Sequence, residues 1–368
     1  MKRLFDIQVK YARCGLGCNS PQVVILEETS LAHGRNPSAR EVPCRMTFQK
    51  RALLINPEAV GVIFLLCFAF LGVVNLSSAS DKAKVEEGTK QINGVALYYK
   101  IIGEGEPLVI VHGGPGLDHS YFLPQMEKLA KNYKLIFFDQ RASGRSSAPK
   151  DSTGMTLDHF IADLEGIRQA FGLEKMNLMA HSWGGLLAMQ YALKHGEHLK
   201  SLILVNSVSA NSADNDVANK NLRSRFTRRD SLERAKVTQS DAFKKQDSKA
   251  LADFFKIVFR PTFYDRKFAR QLTLVFQPGY AKKSVMLQHL SKELVAYDLS
   301  PQLTTLKVPT LVIHGEADPL PVEAAQKLRK SIKDSEFVLL KYCGHFPFIE
   351  APQDFVVNVK SFLNRLPE

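Results

Sequence analysis

Short, almost wholly apolar runs recur from about residue 95 to residue 341, and amphipathic stretches fill most of the gaps between them. The runs cover 95–102, 107–112, 133–139, 176–181, 199–205, 308–314 and 335–341. Each is of strand length, and apolar residues at successive positions are what a strand needs when both faces are covered. The stretches at 157–171, 184–195, 321–332 and 352–365 carry apolar residues at helical spacing. Strands alternating with helices predict an α/β fold, with a mostly parallel central sheet flanked by helices. The run 95–102 is read as an edge strand.

The alternation breaks between about Ser207 and Leu306. That stretch is rich in Lys, Arg, Asp and Phe and reads as helices without strands. The expected organisation is therefore a core in two parts, 81–206 and 307–368, interrupted by a helical cap at 207–306. Charge sharpens the division. The chain of 368 residues has a formal net charge of +12. Residues 207–300 hold 18 Lys+Arg and 10 Asp+Glu, a net of +8, and residues 1–80 hold 9 and 5, a net of +4. The α/β core is close to neutral, so a basic nucleic-acid-binding body is excluded. No zinc-finger, RRM, KH or helix-turn-helix pattern argues otherwise.

The first eighty residues stand apart. Residues 59–80 carry no charge, and 59–74 are almost wholly apolar. Lys50 and Arg51 precede this run, and the small residues Ser77 and Ala79 follow it. Basic, apolar and small-residue segments in that order predict a secretory signal peptide over 46–80, exported and cleaved. The alternative is a single-pass anchor through 59–76, the only route to a membrane. Met46 is read as the initiator and 1–45 as a leader, disordered or outside the translated chain. Of five cysteines, Cys14, Cys18, Cys44 and Cys67 lie before residue 81 and only Cys343 lies beyond it. No disulfide is expected in the exported part. Cys14 and Cys18 have no second pair that would complete a metal site.

Four loops carry candidate chemistry. The run 176–181 leads into Ser182, Trp183, Gly184 and Gly185 and then a helix. A serine on a tight strand-to-helix turn, with small neighbours, has the setting of a nucleophile. The plain alternative is that Ser182 only caps the helix. At the end of the run 107–112 lies HGGPG, residues 112–116, a glycine loop whose amides are free to face a developing oxyanion. The N–H groups of Gly114 and Trp183 are the expected donors. After the run 308–314 come Glu316 and Asp318, either able to orient an imidazole, with Asp318 preferred because it lies deeper in the loop. After the last strand, Cys343 and Gly344 lead to His345, the candidate general base. Ser182, Asp318 and His345 occur in the chain order of an α/β-hydrolase triad. No metal and no cofactor is required by this chemistry.

HGGPG at 112–116, DQRASGRS at 139–146, AHSWGG at 180–185, GEADP at 315–319 and GHFPFIE at 344–350 together resemble the α/β-hydrolase superfamily. Within it they resemble the proline iminopeptidase branch, over roughly 88–368. The first position of the usual Gly-x-Ser-x-Gly turn is Ala180 here. The resemblance implies a serine hydrolase working through an acyl-enzyme, most closely an aminopeptidase or amidase. It also implies that 207–306 covers the site and sets substrate choice, and that Arg141 is structural. Cap glutamates would hold the substrate amine, and the only two here are Glu233 and Glu293. A cap of net +8 is a poor host for a cationic amine, so a carboxylesterase or lactonase acting on esters, lactones or other amides is the alternative. A non-catalytic, ligand-binding α/β-hydrolase fold is the reading from another class. Partners are expected to be small-molecule, peptide or ester substrates. The residues carry no expectation of oligomeric state.

Overall fold

The computed structural model describes residues 84–367. The leader at 1–45 and the signal peptide or anchor at 46–80 lie outside the described residues. Eight strands form one sheet: β1 (Val85–Ile92), β2 (Val95–Ile102), β3 (Glu106–Val111), β4 (Tyr133–Phe138), β5 (Met176–His181), β6 (Leu199–Val205), β7 (Thr310–Gly315) and β8 (Ser335–Leu340). Their spatial order is β1-β2-β4-β3-β5-β6-β7-β8. Pairing is antiparallel at β1/β2 and β2/β4 and parallel from β4 to β8. All seven apolar runs between residues 95 and 341 are strands.

The run 95–102 is not the edge. β1 covers it, in a register that places Val85 opposite Ile102 and Ile92 opposite Val95. β1 reads Val-Glu-Glu-Gly-Thr-Lys-Gln-Ile and is mostly exposed, so no apolar run marks it. Its signal is the two-residue turn Asn93–Gly94. Asn93 has φ 46° and Gly94 φ 78°, the left-handed pair that matches the twist of a tight hairpin.

The central strands are buried on both faces, and their side chains separate with period two. Val109 and Val111 of β3, Leu178 and Ala180 of β5 and Leu202 and Leu204 of β6 share one core with α1 (Leu157–Ala170) and α2 (Trp183–His195). Leu108, Ile110, Met179, Ile203 and Val205 belong to the opposite core. There they pack with residues of the C-terminal segment such as Phe355 and Val359. Fully burying each such side chain contributes roughly 1.5–3 kcal/mol, and two covered faces explain why these runs read as continuous rather than alternating.

Between β6 and β7 the chain leaves the sheet. It forms α3 (Ala213–Ser224), α4 (Arg228–Gln239), α5 (Asp241–Lys244), α6 (Ser248–Phe259), α7 (Tyr280–Leu287) and α8 (Ser300–Leu303), with short 3₁₀ turns among them. The insertion docks on the core through polar side chains reaching backbone carbonyls. Arg225 donates to the carbonyls of Ala317 and Asp318, and Lys283 to those of Gly144 and Ser146, both at 2.8 Å. The chain then returns through β7, α9 (Val322–Ser331), β8, α10 (Pro347–Glu350) and α11 (Pro352–Leu363).

Arg141 is 1% exposed and structural, as its motif implies. Its Nε and Nη2 make a fork onto both carboxylate oxygens of Asp163 on α1, at 2.6 and 2.5 Å, and Nη1 donates to the carbonyl of Gly154 at 2.6 Å. Removing one partner of such a pair leaves a buried charge uncompensated, whereas removing both does not. Arg141→Met is expected to destabilise the fold by about 3–5 kcal/mol in urea unfolding, and the double variant Arg141→Met, Asp163→Leu by much less. Equal losses in the two variants would contradict this assignment.

Candidate active site

The residues of interest all stand at the carboxyl ends of parallel strands: Gly114 after β3, Ser182 after β5, Asp318 after β7 and His345 after β8. In an open α/β sheet this is the edge where loops diverge and leave room for a ligand.

Ser182 joins β5 to α2 with φ 56° and ψ −124°, and its side chain makes no capping bond to the helix. The plain N-cap reading is therefore set aside. A non-glycine residue in this conformation costs on the order of 1–3 kcal/mol and persists only where its surroundings fix it. Three backbone bonds do so: Ser182 N donates to the carbonyl of Val205 at 3.1 Å, and the Ser182 carbonyl accepts from Gly185 N at 2.9 Å and Val208 N at 3.2 Å. The turn is so close-packed that a Cβ on Gly184 would stand 2.7 Å from the carbonyl oxygen of His112 and 2.8 Å from that of Val111. A Cβ on Gly185 would stand 2.6 Å from that of Ser207. Glycine is needed at both positions on space alone. Ala180, inside β5 and fully buried, fits where the commoner pattern has glycine.

The strained turn presents the hydroxyl to an imidazole. Ser182 Oγ is 3.0 Å from His345 Nε2, and His345 Nδ1 is 2.6 Å from Asp318 Oδ2. An ionised carboxylate only accepts hydrogen bonds, so the Nδ1 of neutral His345 carries the proton and its Nε2 is free to accept from the serine. Asp318 is 4% exposed. Burial alone would raise its pKa, but the charge and hydrogen bond of His345, with His314 and Asn206 beside it, hold the carboxyl well below the usual range. Its oxygens are fully engaged. Oδ2 also accepts from Asn206 Nδ2 at 2.6 Å, and Oδ1 accepts from Leu320 N at 2.7 Å. Glu316, the competing acid, is exposed and accepts only a long 3.5 Å contact from Tyr342 N.

Two residues outside the sequence-read set support this arrangement. Asn206, directly after β6 at φ 41°, donates to Asp318 and, at 3.1 Å, to the carbonyl of Gly344. It ties the acid loop to the base loop. Its only sequence signal is an Asn closing an apolar run. Gln140, inside the DQR motif, ties the glycine loop to the serine turn. Its Oε1 accepts from the Trp183 indole at 2.9 Å, its Nε2 donates to the His112 carbonyl at 2.6 Å, and its backbone N donates to His112 Nε2 at 3.0 Å. The amides of Gly114 and Trp183 donate to no partner among the described residues. Trp183 itself is fully buried.

The insertion also reaches the base. His345 N donates to the carbonyl of Thr262 at 2.9 Å. Glu350 accepts from Gly344 N at 2.7 Å and from Asp265 N at 3.1 Å. Glu233 and Glu293 are elsewhere in the network. Glu233 pairs with Arg229 at 2.6 Å and Arg260 at 2.7 Å, and Glu293 accepts from Leu157 N at the start of α1 at 3.0 Å. Neither enters the hydrogen bonds of the triad. Among the described residues the cluster of metal-ligand type is Glu165, His195 and His198. The Glu165 carboxylate there is held by the Arg168 fork at 2.6 and 2.9 Å, by Tyr191 at 2.7 Å and by Gln169 at 2.9 Å. A saturated carboxylate next to a guanidinium is a poor cation ligand.

Known proteins place this arrangement in context. A family model described as alpha/beta hydrolase fold matches residues 106–352. The chain is 29% identical over 295 residues to a proline iminopeptidase of Saccharolobus solfataricus, covering 77% of this chain and 93% of the relative. It is also 29% identical over 300 residues to a proline iminopeptidase of Lactobacillus helveticus, covering 77% of this chain and all of the relative. Among solved structures, an alpha/beta fold family hydrolase from Bacillus anthracis superposes with a TM-score of 0.60 at 19% identity, over 76% of this chain and 99% of that one. A proline iminopeptidase of Mycobacterium smegmatis does so with 0.54 at 20%, over 76% and 98%.

The buried histidines bring a pH dependence of stability. Burial pushes the His112 imidazole down to about 4 from an ordinary 6.5. Between those values the unfolded chain binds a proton that the folded chain refuses, so stability rises with pH across the window and falls on acidification. The melting temperature is expected to drop as pH falls from about 6.5 to 4. His112→Gln is expected to flatten that slope in a thermal melt series, and an unchanged slope would contradict the assignment.

Proposed function

Because the chain belongs to the α/β-hydrolase fold family, we propose that it is a serine hydrolase of the proline iminopeptidase type, cleaving aminoacyl amides through an acyl-enzyme. The observation that carries this reading is the continuous line of acceptors and donors from Asp318 through His345 to Ser182. His345 Nε2 takes the hydroxyl proton as Ser182 Oγ attacks the substrate carbonyl carbon. The negative charge moves to the carbonyl oxygen, where the amides of Gly114 and Trp183 receive it. Collapse breaks the bond to the leaving group, to which His345 returns the proton, and water repeats the cycle on the ester of Ser182. Asp318 stays ionised and stabilises the imidazolium formed in each half. A preorganised donor pair of this kind is worth on the order of 10²–10³ in turnover per donor.

The relatives of this chain support an aminoacyl amide as substrate. One observation favours the second reading, an ester or lactone. Both glutamates of the insertion are already engaged, Glu233 with two arginines and Glu293 with a helix N-terminus. A free ammonium group would have to displace those partners.

A panel of proline, alanine and arginine arylamides against short and long acyl esters and lactones separates the two. Proline or alanine arylamides are expected to turn over. Turnover confined to esters or lactones would transfer the assignment to the second reading. Ser182→Ala is expected to fold and to lose at least about 10⁴-fold in kcat on whichever substrate is cleaved, and Asp318→Asn on the order of 10³–10⁴-fold. Undiminished turnover in Ser182→Ala would eliminate the proposal.

A further inference from the structure

Two buried side chains that the mechanism above does not use are hydrogen-bonded to its loops. Tyr121 is fully buried and His181, the residue before the nucleophile, is 2% exposed. Gly113 N donates to Tyr121 Oη at 2.6 Å, Tyr121 Oη is 2.9 Å from His181 Nδ1, and His181 Nε2 is 2.7 Å from the carbonyl oxygen of His345. The three bonds link the glycine loop after β3 to the base loop after β8 through the residue that precedes Ser182.

The direction of every hydrogen in this line follows from elementary donor counting. A carbonyl oxygen only accepts, so His181 Nε2 carries its proton toward His345. A neutral imidazole has one N–H, so Nδ1 is bare and accepts from the Tyr121 hydroxyl. The tyrosine oxygen then has a lone pair for Gly113 N–H. The line is satisfied from end to end only while His181 is neutral. Burial, reinforced by the neighbouring His345, pushes that imidazole down to about 3, so it is neutral throughout the range in which His345 has work to do. The two rings stand 4.8 Å apart, and a second positive charge at that distance would oppose the imidazolium that His345 must become.

Resting on the serine-hydrolase reading above, we propose that Tyr121 and His181 are positioning residues that form a strut between the two halves of the catalytic apparatus. At one end the strut draws the Gly113 amide down to Tyr121, which turns this amide away from the substrate side. That leaves the next amide, Gly114, to receive the oxyanion. At the other end it holds the backbone of His345, whose own amide is pinned to the insertion at Thr262. The distance between oxyanion donor and general base is thus set by two side chains that touch no substrate. Packing alone does not require these bonds. Tyr121 and His181 also sit in an aromatic cluster with Phe122, Phe346 and Phe348, and a phenyl ring at either position would keep that packing and lose the polar line.

The strut acts on the transition state and not on ground-state binding, so its loss has a specific signature. Tyr121→Phe is expected to lower kcat about ten- to hundred-fold with KM changed less than about threefold, as a displacement on the order of 1 Å at the reacting atoms does. Affinity for a boronate, which mimics the tetrahedral intermediate, is expected to fall in parallel, while affinity for a carboxylate product stays level. His181→Phe is expected to do the same, and His181→Gln, which offers one donor and one acceptor, to recover part of the loss. Circular dichroism and thermal melts monitor folding throughout. Wild-type kcat in both phenylalanine variants would overturn the strut. So would a kcat loss with boronate affinity unchanged, or a loss that only tracks the folded fraction. A wild-type chain that hydrolyses nothing in the substrate panel and binds no boronate would instead overturn the hydrolase reading, and the strut with it.

Discussion

A carboxylate that is almost completely removed from water governs this structure. Burying the charge of Asp318 is unfavourable unless it is paired and hydrogen-bonded, and its neighbourhood supplies that compensation. The Leu320 amide and the Asn206 side chain satisfy it from the protein side, and His345 satisfies it from the site. Because the acid can only accept, the imidazole is forced to place its proton toward Asp318 and its bare nitrogen toward Ser182. One desolvated charge therefore sets both a tautomer and a ring orientation.

The sheet makes that contact possible across long stretches of sequence. Ser182 and His345 are 163 positions apart, yet β5 and β8 run parallel and end at the same edge. Parallel pairing from β4 to β8 brings the ends of β3, β5, β6, β7 and β8 to one side. The glycine loop at 112–116, Ser182, Asn206, Asp318 and His345 each come from a different one of those ends. The helical insertion leaves the sheet between β6 and β7 and returns to touch two of them, at the carbonyls beside Asp318 and at the amide of His345. The insertion and the base loop are thus physically connected, through Thr262 and Glu350.

The strands most buried by the fold were the most legible in the sequence. Both faces of β3, β5, β6 and β7 are largely covered, so their runs are mostly apolar and their ends stand out. The loops after them could then be searched for a nucleophile, an acid and a base, and Ser182, Asp318 and His345 lie together in space. β1 escaped because its side chains face water and its pairing is made by backbone, which leaves no apolar record. The Asn93–Gly94 turn was the remaining trace. For the same reason 95–102 looked like an edge when it is an inner strand. Asn206 and Gln140 escaped for another reason. Each acts by connecting two loops, and a connection between distant segments has no local pattern. The two glutamates of the insertion illustrate the limit from the other side, since residue type alone does not tell that Glu233 faces arginines.

The most direct test of the central claim, that the buried acid and the imidazole activate Ser182, is reaction with a fluorophosphonate followed by intact mass and peptide mapping. One adduct per chain on Ser182, formed rapidly in the natural chain and slowed at least about a hundredfold in His345→Gln, is the predicted result. A chain that stays folded yet takes no adduct, or takes it at another residue, would contradict the account and leave the non-catalytic, ligand-binding reading of the fold.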